Sequence, residues 1–329
     1  MKKITVIGAG GWGLALGLLL NEKGNNVTFW CYEEKEKEDI LQHRENKRCL
    51  PGIKIPLEIN FTTSMAEALE EAEVAVMAVP SKAVRATAQK MKDYLQPSTI
   101  IVNVAKGVEE ETLLRLSQVI ESVLPNAVVV LSGPSHAEEV ARHIPTTVTV
   151  SSQDMKYAYE IQDLFMDMYF RVYTNEDLIG IEIGGALKNV IALAAGVVEG
   201  MGFGDNTKAA LMTRGIAEMT RLGIAMGGKP NTFAGLTGIG DLIVTCTSGH
   251  SRNRRAGELI GQGYTMDEAI QKVNMVVEGV PTTKAGYALM QKYQVEMPIL
   301  NAIYKVIFEN EPVKETIYNL MLRDKKDEH

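Results

Sequence analysis

Hydrophobic positions fall in short runs through the first half of the chain and in longer stretches of helical pattern through the second. The short runs occupy residues 3–7, 27–31, 74–79, 99–104 and 127–131, with further strand-like pieces at 146–150 and 170–173. Helical segments separate them, beginning with the apolar run at 14–20. Strands alternating with helices in this way predict a parallel sheet covered by helices on both faces. After about Asp177 the pattern changes to helices with few β-branched runs. No repeat, low-complexity tract or proline-rich linker interrupts the chain, and the polar tail 323–329 is expected to fray.

The first strand runs directly into Gly8-Ala9-Gly10-Gly11-Trp12-Gly13 and then into the first helix. In the order strand, turn, helix, the spacing G-x-G-x-x-G has a physical reading. Gly8 permits the tight turn, Gly10 lets the backbone approach a pyrophosphate, and Gly13 lets the helix lie close on the sheet. The helix start then offers free N–H groups to phosphates. The fold class expected is therefore α/β, an N-terminal Rossmann-type doubly wound sheet over residues 1–178 followed by an all-α domain over 179–329. Met1-Lys2-Lys3 before an apolar run resembles a secretory signal, but the glycines break such a helix and no small-residue cleavage site follows. No stretch is expected to approach the ~18 uncharged apolar residues of a membrane span. The most apolar run, 190–198, is closed by Glu199.

Composition narrows the function classes. A length of 329 residues suits about two domains. A net charge of −7 argues against a general nucleic-acid binder, which would carry a basic surface, although a local basic pocket can still take an anionic substrate. Cys31, Cys49 and Cys246 are odd in number and widely spaced, which suits reduced thiols in cytoplasm and gives no metal signature. Cys246 reads as a buried small hydrophobe rather than a nucleophile.

Several residues stand out chemically. In a dinucleotide fold the residue closing the second strand carries an acid for the adenosine ribose. Here that end is Cys31-Tyr32, with Glu33 slightly late, which leaves NAD and NADP both open. Tyr32 suits stacking on adenine and equally an ordinary surface position. Lys106, in Ala105-Lys106-Gly107, follows the strand 99–104 and so falls on a loop at the carboxyl edge of the sheet. Residues 183–198 contain two polar side chains, Lys188 and Asn189, so Lys188 is buried or faces a cavity. Burial disfavours a charged lysine, which is how this residue becomes useful in proton transfer. Gly180 and Gly184 share its face and leave room for something to approach. Downstream, Asp241 stands in a glycine turn, and Ser251-Arg252-Asn253-Arg254-Arg255 groups donors suited to phosphate or carboxylate. Glu278 is a lone acid in an apolar turn.

Taken together, these motifs resemble the bacterial NAD(P)-dependent glycerol-3-phosphate dehydrogenase family along essentially the whole chain. They are GAGGWG at 8–13, CLPG at 49–52, VPS at 79–81, AKG at 105–107, SGPSHAEEVA at 132–141, ALKN at 186–189, GDLIVTCTS with SRNRR within 240–255, and VEG at 277–279. The resemblance implies reduction of dihydroxyacetone phosphate to glycerol 3-phosphate, the precursor of phospholipid backbones, by hydride from NAD(P)H. It implies Lys188 as the proton-transferring residue. It implies substrate contacts at Lys106, Gly133, Ser135, Lys188, Asp241, Ser251, Arg252 and Asn253. Cofactor contacts are implied at Gly11, Trp12, Lys106, Ala137, Arg252, Val276 and Glu278, beside Gly8, Gly10, Gly13 and Tyr32 of the dinucleotide reading. No metal, membrane span or nucleic acid is expected, and a cytoplasmic homodimer is. The lysine helix alone would also suit a β-hydroxyacid dehydrogenase, which does not require the SRNRR cluster, and a non-catalytic nucleotide sensor is the remaining alternative.

Overall fold

A computed structural model describes residues 1–325, 327 and 328. The 323–329 tail expected to fray therefore lies partly outside the described residues. The chain packs as two compact units, residues 1–109 with 114–182, and residues 110–113 with 183–329.

The first unit is built on eight strands: β1 (Lys3–Ile7), β2 (Asn26–Trp30), β3 (Asn60–Thr62), β4 (Val74–Met77), β5 (Ile100–Asn103), β6 (Val128–Ser132), β7 (Thr146–Ser152) and β8 (Phe170–Thr174). Their order is β3-β2-β1-β4-β5-β6-β7-β8. Strands β1 to β6 run parallel, so their carboxyl ends share one edge. The sheet is mostly parallel, as expected, and departs from that at β7, which pairs antiparallel with β6, Ser132 opposite Thr149. Apolar alternation fixes which face a residue takes but not strand direction, so this reversal leaves no mark on the pattern.

Both faces are covered, as the doubly wound reading requires. Ile4, Val6, Val74, Val76, Ile100 and Val102 enter one core with the helix Gly11–Glu22 and the helix Met155–Phe165. Their neighbours Ile7, Ala75, Met77 and Ile101 enter the other, with the helices Val84–Met91 and Leu116–Glu121. This two-residue alternation is the strand period made physical.

Within the same unit a buried carboxylate fixes the start of the long helix Leu178–Gly200. Glu182 pairs with Arg115, and its other oxygen accepts the Ser117 N–H at 2.8 Å, at the beginning of the helix Leu116–Glu121. Removing one partner of such a buried pair would strand the other charge, a cost of roughly 3–5 kcal/mol.

The Leu178–Gly200 helix is where the expectation of no uncharged apolar stretch of ~18 residues meets its closest approach. At 23 residues it is long and apolar enough to cross a membrane by length and composition, but its apolar window contains Lys188, so the expectation stands. Every residue of that window is buried inside the protein, so it is a core helix.

The second unit is helical. Its part of the 178–200 helix meets the helix Arg252–Gly261 at very close range. A Cβ on Gly196 would stand 2.0 Å from the Arg254 carbonyl oxygen, and one on Gly257 2.0 Å from that of Leu193. Glycines at both faces of the crossing thus set the backbone separation, and through it the position of the SRNRR segment beside Asn189.

Candidate active site

In the first unit the glycine turn sits at the carboxyl end of β1. Gly8 adopts φ +110°, a conformation L side chains rarely take, and its N–H donates to the Trp30 carbonyl at 2.9 Å, tying the turn to β2. A Cβ on Gly13 would lie 2.3 Å from the Gly8 carbonyl oxygen, so the helix can start this close to the turn only with glycine there. Gly10 is the N-cap of the helix and supplies no side-chain cap, and a Cβ placed on it would meet nothing within 4 Å. The N–H groups of Gly11, Trp12 and Gly13 precede the first intrahelical bond, Leu14 N–H to Gly10 O at 2.9 Å. A short glycine cradle with open space over Gly10 and uncapped amides is the arrangement a pyrophosphate requires. The residues present therefore fit a dinucleotide.

Asn46, which sequence reasoning passed over, holds this turn in place. Its Nδ2 donates to the Ala9 carbonyl at 3.1 Å while its Oδ1 accepts the Cys49 N–H at 3.0 Å. The CLPG loop is thereby drawn against the turn, close enough that a Cβ on Gly11 would be 2.6 Å from the Cys49 carbonyl oxygen. The indole of Trp12 packs toward Phe170, ring centroids 6.5 Å apart, so its contribution to the turn is its backbone N–H.

Further along the same edge, Lys106 Nζ and Ser135 Oγ both donate to the Gly133 carbonyl at 2.9 Å. The loops after β5 and β6 are thus joined through the side chains expected to hold substrate. Gly107 abuts Ser81, whose Cβ would be 2.6 Å from a Cβ on the glycine, which brings the VPS and AKG loops together. Ala137 begins the short helix Ala137–Val140, its methyl 3.6 Å from where a Gly11 Cβ would stand. Tyr32 lies beyond β2 and is 71% exposed.

In the second unit Lys188 is 7% exposed, and its Nζ donates to Asp241 Oδ1 at 2.5 Å and to Thr245 Oγ1 at 2.7 Å. Asp241 is the first residue of the helix Asp241–Thr247, preceded by a wide π-type turn, Leu236–Gly240. The space expected beside Gly184 is filled by that turn, because a Cβ on Gly184 would stand 2.6 Å from the Thr237 carbonyl oxygen. What the small residue admits is backbone, and the backbone carries Asp241 to the lysine. An isolated buried ammonium would be costly, and the carboxylate and hydroxyl offset that cost.

The five residues of the SRNRR segment do not act as one cluster of donors. Ser251 is the N-cap of the helix Arg252–Gly261, its hydroxyl accepting the Arg254 N–H at 3.2 Å. Arg254 is spent on Glu199 at 2.6 Å and on the Ser248 carbonyl at 3.0 Å. Asn253 links three helices, donating to Asn189 Oδ1 at 2.9 Å and accepting the Gly279 N–H at 2.8 Å, where the helix Gly279–Tyr293 begins. Arg252 is half-buried and makes no hydrogen bond or ion pair among the described residues. Val276 is exposed and Glu278 half-buried in the turn before Gly279.

Burial pushes the Cys246 thiol up to about 12, so it is neutral and no nucleophile, as the sequence reading expected. Thr245, bonded to Lys188, and Asn189, bonded to Asn253, are neighbours of the expected site that the sequence reading did not assign. Both had a sequence signal, Thr245 at i+4 from Asp241 on one helical face and Asn189 adjacent to the lysine. No group of three or more His, Cys, Asp or Glu suited to a metal occurs among the described residues.

Residues 3–158 match the family described as NAD-dependent glycerol-3-phosphate dehydrogenase N-terminus, and residues 177–318 match its C-terminus. A curated relative from Fusobacterium nucleatum subsp. nucleatum, named glycerol-3-phosphate dehydrogenase (NAD(P)+), is 54% identical over 329 residues, covering 99% of this chain and 98% of the relative. One of the same name from Bacillus subtilis is 52% identical over 332 residues, covering 100% and 96%. The solved glycerol-3-phosphate dehydrogenase of Coxiella burnetii superposes with a TM-score of 0.95 at 35% identity, covering 98% of this chain and 99% of that one.

Proposed function

The chain belongs to the NAD-dependent glycerol-3-phosphate dehydrogenase family, and on that premise we propose that it reduces dihydroxyacetone phosphate to sn-glycerol 3-phosphate with Lys188 as proton donor. The observation that carries this reading is the buried Lys188 side chain, fixed by Asp241 and Thr245 in the apolar stretch 183–198.

The cofactor, NADH or NADPH, would rest its pyrophosphate on the Gly8–Gly13 turn, with Tyr32, Lys106, Ala137, Arg252, Val276 and Glu278 as further contacts. Bound there, the reduced nicotinamide supplies the hydride. Lys188 donates a hydrogen bond to the C2 carbonyl oxygen of the substrate and gives that oxygen its proton as negative charge develops on it. General acid catalysis of this kind contributes typically ~10²–10⁴-fold. Asp241 supplies the counter-charge that keeps Nζ an ammonium, and Thr245 restricts where it points. The Arg252 guanidinium, without a hydrogen-bond or ion-pair partner among the described residues, takes the substrate phosphate, with Ser251 and Asn253 beside it. Lys106, Gly133 and Ser135 hold the substrate hydroxyls. The product is the glycerol phosphate backbone from which phospholipids are made. The enzyme acts in the cytoplasm as a homodimer, a state that light scattering on the purified protein would check.

The direct test follows NAD(P)H absorbance with dihydroxyacetone phosphate and with a panel of 3-oxo acids. Turnover of the phosphorylated ketone alone supports the reading, and turnover of the acids in its place rejects it.

A further inference from the structure

The end of β2 carries a feature the reaction does not explain. Residue 31 occupies the position beside the glycine turn where a dinucleotide fold places its ribose-binding acid. Here it is a cysteine with no exposed surface, its N–H given to the Thr62 carbonyl at 2.8 Å and its thiol pushed up to about 12 by burial. It faces the core and offers nothing to a ribose.

The next two residues turn outward. The Tyr32 ring stands edge-on to Trp30, centroids 6.1 Å apart at 75°, and Lys90 of the Val84–Met91 helix holds its Nζ 4.9 Å from the Tyr32 centroid. Glu33 is exposed, with extended backbone at φ −115°, and is the N-cap of the helix Glu34–His43. Its carboxylate makes no hydrogen bond or ion pair among the described residues, whereas its neighbours are committed. Glu34 accepts from Thr63 Oγ1 at 2.7 Å and pairs with Lys37, and Glu36 pairs with Arg48 at 3.3 Å. The same pairs engage Lys37 and Arg48, and Lys90 lies on the aromatic face. Lys35 is exposed, but two residues along a helix from Glu33 is not a facing position. Glu33 acts on Arg48 through space without a hydrogen bond, so the charge immediately after the strand that lacks a bonded partner among the described residues is negative.

We propose that Glu33 makes this chain selective for NADH, its carboxylate accepting the adenosine ribose 2′-hydroxyl and repelling the 2′-phosphate of NADPH, while Lys90 steadies Tyr32 as a shelf for the adenine. A phosphate ester brings about −1.5 to −2 charge at neutral pH, so at hydrogen-bond range from a carboxylate it is strongly disfavoured. The inference rests on the dinucleotide reading of the glycine turn.

The test is equilibrium binding, by fluorescence titration of NADH and NADPH and by competition with 5′-ADP and 2′,5′-ADP, which lack the nicotinamide. The wild type is expected to bind the non-phosphorylated member of each pair about tenfold tighter or more. Glu33→Gln should narrow the difference and Glu33→Arg should reverse it. Lys90→Ala should weaken all four ligands without moving the ratio. Equal affinities in the wild type, or a ratio unmoved by Glu33→Arg, would overturn the inference, and binding of none of the four would overturn it together with the dinucleotide reading. Selective NADH binding without turnover of dihydroxyacetone phosphate would uphold it while rejecting the proposed reaction.

Discussion

Thr245 accepts a hydrogen bond from the Lys188 ammonium at 2.7 Å and gives its own hydroxyl hydrogen to the Asp241 carbonyl at 2.5 Å. Because that hydrogen is committed, the oxygen's lone pairs face Nζ in a fixed direction. Thr245→Val keeps the shape and removes the acceptor. A buried hydrogen bond of this kind contributes about 1–2 kcal/mol, so kcat is expected to fall roughly tenfold. Thr245→Ser should restore most of it. An unchanged kcat in the valine variant would remove Thr245 from the positioning of the lysine.

Gly184 should tolerate no side chain. Alanine there would put a Cβ 2.6 Å from the Thr237 carbonyl oxygen, and the obstacle is backbone that cannot rotate away. Overpacking of this kind costs about 1–3 kcal/mol, so Gly184→Ala should lower Tm by several degrees. Because the displaced turn leads into Asp241, activity should fall further than stability alone explains. Calorimetry beside kinetics at a temperature where both proteins are folded separates the two effects.

Arg252→Ala should act on substrate affinity. Losing a charge-assisted contact to phosphate, about 1.5–3 kcal/mol, predicts a KM for dihydroxyacetone phosphate raised roughly ten- to a hundredfold, with kcat changed far less. A variant with unaltered KM would place the phosphate elsewhere.

Glu218 provides a pH test that does not involve catalysis. It is 1% exposed on the helix Asp205–Ala225, and its two oxygens accept the N–H groups of Ile299 and Leu300 at 2.8 and 3.2 Å, at the start of the helix Pro298–Phe308. Burial raises its pKa from 4.5 to about 7 despite those bonds and the more distant Arg221 and Arg323. The folded protein therefore holds this proton more tightly than the unfolded chain, and the group's stabilising contribution is full below about pH 4.5 and lost as pH rises through about 7. The loss is on the order of 3 kcal/mol. Denaturant unfolding at pH 4.5, 6 and 8 should show that decline in the wild type and a flatter profile in Glu218→Gln. Parallel profiles would contradict the assignment.

The glycine turn, the doubly wound first unit and the buried lysine were legible because each leaves a local signature. These are glycine spacing next to an apolar run, alternating strand and helix periods, and a single charge in the apolar stretch 183–198. Strand β3 was missed because three residues, Asn60–Thr62, are too few to show a period. The reversal of β7 was missed because pattern carries no direction. Gly184 was read as leaving space, and only the packed structure shows the Thr237 backbone occupying it. Thr245 and Asn189 each had a local signal, but their contacts with Lys188 and Asn253, like that of Asn46 with Ala9, join residues tens of positions apart that no spacing rule brings together. The roles of Asp241, Arg252 and Asn253 came from the family resemblance, and the structure adds how differently those three side chains are engaged.

The central claim is that Lys188 transfers the proton. Lys188→Ala and the wild type should be compared for kcat with dihydroxyacetone phosphate at saturating cofactor, with cofactor affinity measured by fluorescence on the same samples. The account predicts kcat reduced by ~10²-fold or more with cofactor affinity nearly unchanged. An alanine variant that turns over at a rate comparable to the wild type would contradict it.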